Sequence, residues 1–227
     1  MNEMIVDPLY EKRIQGGLKL SFRDHLDGGG QAFFVSFMEA IGKINRNPYQ
    51  RGFEWCAGAG FLGFSLLSMR ILQHCTFQDV YPTAIDVCNH TINNNFLSKR
   101  AEAYVCGTIK DLPPLEPWDF VISNPPHAWD LRGSRESLLR DGVEHHAIEN
   151  TIRLLVDDDM QTHSEFFQNI RSRLTDTADL FIVEHDQKVR DIYVEMAEAG
   201  GLKLIDIMPC YWIDKDNGHK IYYFQPK

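Results

Sequence analysis

Residues 118–127 constrain the fold more than any other segment, and they read Trp-Asp-Phe-Val-Ile-Ser-Asn-Pro-Pro-His. The apolar run predicts a short buried parallel strand, which must end at the two prolines because proline donates no backbone hydrogen bond. Proline also holds the preceding residue, Asn124, in an extended conformation. Ligands of open α/β sheets bind outside the carboxyl ends of the strands. We therefore expect this tip to bind an NH2 group, with Asn124 Oδ1 and a rigid carbonyl as acceptors and the His127 ring packed on the flat group.

The chain from residue 52 onward alternates strand and helix patterns. The predicted strands cover residues 52–57, 76–81, 103–106, 118–123 and 180–184. The predicted helices cover residues 62–74, 82–98, 161–174 and 188–199. Two further strands, 202–213 and 219–224, flank a turn at 215–218 and must be antiparallel. This order predicts an α/β fold with a doubly wound, mostly parallel sheet that ends in an antiparallel hairpin.

Residues 1–50 carry weaker signals, and we expect them to form an N-terminal cap segment in front of a domain of residues 51–227. Alternating apolar residues at 18–23 predict a short strand. Gly28-Gly29-Gly30 predicts a flexible break. The apolar spacing at 34–44 predicts a helix that covers one face of the sheet.

The composition fits one ordinary domain, with 227 residues, a net charge of −9 and five scattered cysteines that form no C-x-x-C pair. Such thiols are typical of a reducing, cytoplasmic location and argue against a disulfide framework. No apolar run reaches the roughly 18 residues of a membrane span, and the N-terminus shows no secretory signal, so we expect no membrane association. The acidic charge disfavours an extended nucleic-acid footprint, because little would be gained from counterion release.

A glycine-rich turn lies where the first predicted strand of the domain meets its first helix. Gly58, Gly60 and Gly63 form G-x-G-x-x-G, which lets the backbone approach a bound nucleoside at a helix N-terminus. Asp79 follows Gly58 at a spacing that suits acceptance of ribose hydroxyl hydrogens. Glu54, inside the strand, suits the charged amino-acid portion of S-adenosylmethionine, which NAD lacks. A tight turn without a ligand is the alternative interpretation.

These segments together resemble class I S-adenosylmethionine-dependent methyltransferases of the amino-modifying branch, which carries an Asn-Pro-Pro-aromatic motif. The branch includes adenine-N6 and guanine-N2 methyltransferases and the glutamine methyltransferases of peptide release factors. Residues 120–126 are the most specific part, and residues 180–185, Leu-Phe-Ile-Val-Glu-His, are similar to the release-factor enzymes. The resemblance covers roughly residues 50–227 and implies a Rossmann-like methyltransferase fold with S-adenosylmethionine as the cofactor.

The resemblance also implies a role for each matching residue. Asn124, Pro125 and His127 would be catalytic, with the Pro125 carbonyl as the second acceptor for the target NH2 group. The implied cofactor-binding residues are Glu54, Ala57, Gly58, Gly60, Asp79, Val80, Thr108 and Asn124, among which Glu54 serves the methionine portion and Asp79 the ribose. The chain departs from the family pattern where His127 replaces an aromatic residue, Cys56 a glycine and Gly107-Thr108 an acid.

The implied reaction is N-methylation of an amide or amine NH2 group, on a protein side chain of the glutamine type or on a small amine. One alternative is a nucleic-acid base, at adenine N6 or guanine N2, which requires cations such as Arg132, Arg135 and Arg140 to converge. A second alternative is an NAD-linked oxidoreductase, and a third is a binding module without catalysis. The short N-terminal segment leaves room for a partner subunit that contacts the substrate.

Two polar clusters and one long segment allow competing interpretations. We interpret Glu144-His145-His146 as a solvated helix face and residues 157–159, Asp-Asp-Asp, as a helix-capping loop, and we expect no metal site. Residues 128–159 follow the Asn-Pro-Pro-His tip. They form either a substrate lid or a plain insertion, and Trp129 within them either stacks on a substrate or packs in the fold.

Overall fold

The computed structural model describes residues 8–227 apart from 24–25, 27–29, 47, 128–135, 137–138, 140–155, 158 and 213–214. The strands within the described residues are β1 Tyr10–Arg13, β2 Lys19–Phe22, β3 Tyr49–Trp55, β4 Leu72–Asp79, β5 Ala101–Val105, β6 Trp118–Ser123, β7 Leu174–His185, β8 Leu202–Trp212 and β9 Lys215–Pro226. The α-helices with described bounds are α1 Gly30–Ile44, α2 Phe61–Ser68, α3 Pro82–Asn94, α4 Gln161–Ile170 and α5 Asp186–Ala199.

Seven of these strands form one sheet in the order β5-β4-β3-β6-β7-β9-β8. Parallel pairing joins β5, β4, β3, β6 and β7, and β9 lies between β7 and β8, antiparallel to both. The predicted sheet with its terminal antiparallel hairpin is therefore confirmed. Because β4, β3 and β6 are parallel neighbours, the loops that follow them meet at one carboxyl edge.

The boundary between α2 and β4 differs from the prediction of a helix over 62–74. The helix ends at Ser68, because Arg70 adopts the left-handed conformation with φ of 61° and turns the chain into β4. Leu72 and His74 then pair with Tyr49 and Arg51 of β3. The apolar residues in this segment fit a helix and a strand equally well, so only the pairing with β3 distinguishes the two.

Other boundaries also differ from the prediction, including those of α1, β7 and β9. Gly30 begins α1 instead of belonging to a flexible break, while the other two glycines of that triplet lie outside the described residues. Leu174 begins β7 instead of ending α4. Residues 215–218 belong to β9 instead of forming the hairpin turn. Strand pairing decides the last two, because Leu174 pairs with Trp118 of β6 and Lys215 with Trp212 of β8.

Apolar layers cover both faces of the sheet, which explains the nearly continuous apolar runs of its strands. On one face, α1 and α2 contribute Phe37, Phe64 and Leu67 to a layer that includes Phe77 and Phe181. The layer on the other face, under α4 and α5, includes Trp55, Trp118, Phe166, Phe167 and Tyr193. In the described part of the chain, no helix combines the length and the apolar character needed to cross a membrane.

The β1–β2 hairpin forms a small sheet of its own beside the main one. The backbone N–H groups of Lys19 and Ser21 donate to Asn95 Oδ1 and Thr91 Oγ1, each at 2.9 Å. Leu20 is buried in the main apolar core. The hairpin is therefore fixed to α3 and the loop that follows it.

Candidate functional site

A cavity lies at the carboxyl edge of the sheet, between the ends of β3, β4 and β6. Glu54 and Gly58 line it from β3 and the turn that follows, Asp79 from β4 and Asn124 from the tip after β6. These four were predicted as site residues from separate parts of the sequence. Parallel pairing of the three strands brings them together.

The turn after β3 holds its backbone close to the N-terminal segment. Gly58 has φ of 53°, and a Cβ at this position would lie 2.7 Å from the carbonyl oxygen of Leu26, so no larger residue fits. The Gly58 N–H donates to Asp79 Oδ2 at 2.8 Å. Cys56, in place of the usual glycine, also has a left-handed backbone, with φ of 52°. Because Cys56 carries a side chain at this backbone angle, the turn stores strain there.

Glu54 is a buried carboxyl that faces the cavity. Its Oε2 accepts a hydrogen bond from the backbone N–H of Gly63, in the first turn of α2, at 2.7 Å. Burial raises the pKa of Glu54 to about 8, although the helix N–H groups act in the opposite direction. A nearby cation would restore the ionised form, so this residue is suited to a positively charged ligand group.

Asp79 and Val80 end β4 beside the turn. Asp79 Oδ1 accepts from the Tyr81 N–H at 2.8 Å, so each carboxylate oxygen holds one backbone amide and keeps lone pairs for a ligand. Burial raises the pKa of Asp79, although these amides lower it. Val80 lines the cavity and is 67 % exposed, an apolar surface that suits a flat ring.

The Asn-Pro-Pro-His tip presents two of its four residues to the cavity. Asn124 and Pro126 line it, whereas Pro125 is buried. His127 is buried as well, and its Nδ1 lies 3.2 Å from Glu184 Oε1 of β7. The structure thus places the His127 ring against Glu184.

A buried polar ring continues from His127. Glu184 Oε2 lies 3.4 Å from His163 Nε2 of α4, and His163 Nδ1 lies 2.6 Å from Asp157 Oδ2. The Asp157 N–H donates to the His127 carbonyl at 2.9 Å, which closes the ring. Burial acts to raise the pKa of Asp157, but the hydrogen bond and charge of His163 outweigh it and hold that pKa below its usual range. The ring fastens the tip after β6 to the start of α4.

Asp157 also caps α4. Its carboxylate accepts from the N–H groups of Thr162 and His163, at 3.3 and 3.1 Å, and Asp159 accepts from Gln161 at 3.2 Å. The interpretation of residues 157–159 as a helix-capping loop is confirmed for these two aspartates.

The remaining predicted cofactor residues occupy different positions. Ala57 lines the cavity. Gly60 faces the core, since a Cβ there would lie 2.7 Å from the Phe64 ring. Thr108 Oγ1 accepts from the Lys110 N–H and so caps a short 3-10 helix, Ile109–Asp111, while the neighbouring Gly107 lines the cavity.

Several cavity residues come from the N-terminal segment and were not predicted. They are Lys12, Leu20, Phe22, Leu26 and Gln31. The ring residue His163 was also missed. The only signal for it is a histidine at a helix position that the apolar spacing assigns to the core.

Some predicted features lie outside the described residues: Trp129, Arg132, Arg135, Arg140, Glu144-His145-His146 and most of the 128–159 segment. Within the part of the chain that the structure describes, no group of three His, Cys, Asp or Glu side chains could hold a metal ion.

Comparison with known proteins assigns the family. The family model described as "Methyltransferase small domain" matches residues 22–140, more than half of the chain. The chain belongs to this methyltransferase family. It is an S-adenosylmethionine-dependent enzyme, and the family assignment does not support the NAD-linked alternative. A comparison with curated proteins finds no match.

Solved structures of methyltransferases share the fold of this enzyme at low sequence identity. M. jannaschii TYW2, in complex with AdoMet, has a TM-score of 0.62 at 14% identity, over 98% of this chain and 88% of that one. A ribosomal protein L11 methylase from Lactobacillus delbrueckii subsp. bulgaricus has a TM-score of 0.56 at 9% identity, over 84% of this chain and 76% of that one. A putative RNA methyltransferase from Pyrococcus horikoshii has a TM-score of 0.53 at 13% identity, over 88% of this chain and 84% of that one.

The residues of this methyltransferase fit its cofactor. S-adenosylmethionine carries a cationic sulfonium, an ammonium and a carboxylate together with a ribose and an adenine. Two buried carboxyls, Glu54 and Asp79, line the cavity beside an exposed apolar surface at Val80. Gly58 keeps the backbone of the turn free of a side chain. The donor set therefore matches the cations, hydroxyls and flat ring of the ligand.

Proposed function

We propose that this methyltransferase modifies the nitrogen of an NH2 group, on a protein side-chain amide or on a small amine. The observation that carries the proposal is the Asn-Pro-Pro-His tip, where Asn124 and Pro126 line the same cavity as Glu54 and Asp79. S-adenosylmethionine supplies the methyl group on a sulfonium when it is bound.

Burial and charge support the cofactor-binding roles that we propose. Glu54 pairs with the ammonium of the methionine portion and ionises as it does so. Asp79 accepts the ribose hydroxyl hydrogens with its remaining lone pairs. Val80 packs on the adenine, and the backbone of Ala57 and Gly58 approaches the ligand closely.

Asn124 is the catalytic residue in this proposal. The nitrogen of an amide is a poor nucleophile because its lone pair is delocalised. Asn124 Oδ1 and the Pro125 carbonyl accept the two hydrogens and aim the lone pair, so the rate gain comes from positioning. His127 holds the tip in place through Glu184, and we assign it a positioning role.

The class of acceptor rests on charge and resemblance. A net charge of −9 favours a protein or a small amine over a long nucleic-acid footprint. The base-methylating alternative requires cations of the 128–155 region to converge. The solved neighbours named for their substrates include both a ribosomal protein methylase and a putative RNA methyltransferase, so they do not decide the class of acceptor.

The test uses methyl-labelled S-adenosylmethionine and a methyl-depleted cell extract that is divided and treated with protease or nuclease. Loss of the label to protease supports a protein acceptor, and label in the small-molecule fraction supports a small amine. Loss to nuclease replaces the proposal with the base-methylating alternative. If no label is transferred, the reaction is repeated with the protein isolated from its native cell, so that any partner subunit is present. Absence of labelling in that reaction as well contradicts the proposal.

A further inference from the structure

The charges around the cavity are asymmetric. Within the described part of the chain, three charged side chains line it: Lys12, Glu54 and Asp79. The two carboxyls face the cofactor's cations and hydroxyls in the proposed function, which leaves its carboxylate without a partner. Lys12 is the one cation of this set.

Lys12 is placed at the cavity by the N-terminal hairpin. It pairs across the hairpin with Leu20, and both side chains lie on the face that lines the cavity. Lys12 Nζ donates to Gln31 Oε1 at 2.8 Å, which orients the ammonium and leaves two N–H groups for another acceptor. Gln31 lines the cavity too, so the pair faces the ligand together.

Contacts within the protein hold the hairpin in place. Asn95 binds both backbone groups of Lys19, at 2.9 and 2.8 Å. The Leu18 N–H donates to Ser68 Oγ at 3.4 Å, and the turn at Gly16 packs tightly on Ser68. Preorganisation of this kind reduces the entropy that ligand binding would otherwise cost.

We propose that Lys12 binds the carboxylate of the cofactor's methionine portion, so that the N-terminal hairpin selects S-adenosylmethionine over ligands without this group. The inference rests on the proposed cofactor roles of Glu54 and Asp79. Lys12 is solvent-exposed, so the pair is worth less than a buried one, and we expect roughly a tenfold effect on affinity.

The experiment compares S-adenosylmethionine with its decarboxylated analogue, which keeps the sulfonium and the amino group. Calorimetry gives Kd for both ligands with the wild type, Lys12→Met and Lys12→Arg. Lys19→Met is the matched control, because it removes the same charge from the same hairpin at a position that does not line the cavity. Thermal unfolding of each variant confirms that the hairpin remains folded.

The wild type and Lys19→Met should prefer S-adenosylmethionine by roughly tenfold. Lys12→Met should lose this preference without any change in Kd for the analogue, and Lys12→Arg should keep most of it. An equal Kd for S-adenosylmethionine in Lys12→Met and the wild type overturns the inference, as does an equal loss for both ligands. If the wild type binds neither ligand, the cofactor site itself is misplaced, which is a separate failure.

Discussion

Two buried carboxylates lie on the same strand, β7, one toward each edge of the sheet. Asp179, toward the amino edge, accepts hydrogen bonds from four side chains. Tyr49 and Tyr223 donate through their hydroxyls at 2.8 and 2.7 Å, and Arg46 and Gln225 through nitrogens at 3.2 and 2.9 Å. All four donors keep their protons at neutral pH. This edge therefore joins one buried carboxylate to four hydrogen-bond donors and serves stability.

Glu184, toward the carboxyl edge, has partners of a different kind. Its oxygens face two histidine rings, His127 at 3.2 Å and His163 at 3.4 Å. The Glu184 carboxylate thus lies between two imidazole rings, whereas Asp179 at the opposite edge accepts from tyrosine, arginine and glutamine donors. In the function that we propose, the amino edge holds the sheet together and the carboxyl edge positions the reacting groups.

The largest effect is expected at the carboxyl edge. Asn124→Ala should lower turnover by roughly a hundred- to a thousandfold, because it removes the acceptor that aims the lone pair of the target nitrogen. Its Kd for S-adenosylmethionine and its stability should change little. Asn93→Ala, an exposed substitution on α3, is the control. Normal methylation by Asn124→Ala would show that the site assignment is wrong.

The converse is expected at the amino edge. Asp179→Ala should lower the free energy of unfolding by about 3 kcal/mol, because it leaves the buried donors around this position without their acceptor. Cofactor affinity should be unaffected. Urea denaturation and calorimetry together measure both quantities. A loss of cofactor-binding free energy larger than the loss of unfolding free energy would contradict the division between the two edges.

Glu54 is a third buried carboxyl, and we expect its protonation to depend on cofactor binding. The cofactor's ammonium should convert it from neutral to ionised, so binding at pH 7 should release a proton. Without ligand, stability should fall as pH rises from about 4.5 to about 8, because the folded state holds this proton more tightly than the unfolded state. Calorimetry in buffers of different ionisation enthalpy detects the release. Glu54→Gln should abolish it, and release that persists in this variant would assign the proton elsewhere.

The contributions of the two edges to the free energy of unfolding should be lost at opposite ends of the pH scale. Asp157 has a lowered pKa, so its contribution is present above the usual Asp pKa of about 4 and is lost as pH falls below it. Burial and the hydrogen bonds to Asp179 raise the pKa of Tyr49 and Tyr223, so their contribution is lost as pH rises above about 10. Urea denaturation at a series of pH values gives the free energy of unfolding as a function of pH. Asp157→Asn should reduce its fall at acid pH, and Tyr49→Phe should reduce its fall at alkaline pH. An exchange of these effects would refute the assignment.

The smallest effect concerns strain at the carboxyl edge. Cys56→Gly removes a side chain from a left-handed backbone position and should stabilise the protein by up to about 1 kcal/mol. Thermal unfolding measures the change. Destabilisation would mean that packing of the Cys56 side chain is worth more than the strain.

The sequence was informative wherever one segment carries its own signal. The prolines after Asn124 end β6 by covalent geometry, and the glycines after Glu54 allow the turn by steric freedom, so both could be placed from the chain alone. The order of strands and helices likewise predicted the parallel sheet and its antiparallel end. The end of α2 could not be predicted, because the residues that begin β4 acquire strand geometry only by pairing with β3.

Tertiary structure alone decided which distant residues meet. Nothing near Lys12 in the chain indicates that it faces the cavity, because that depends on the hairpin docking on α3. His163, Glu184 and His127 come from three separate parts of the chain, and no local pattern indicates that they meet. Local patterns encode backbone geometry and the buried face of an element, whereas contacts between elements follow from how those faces pack together.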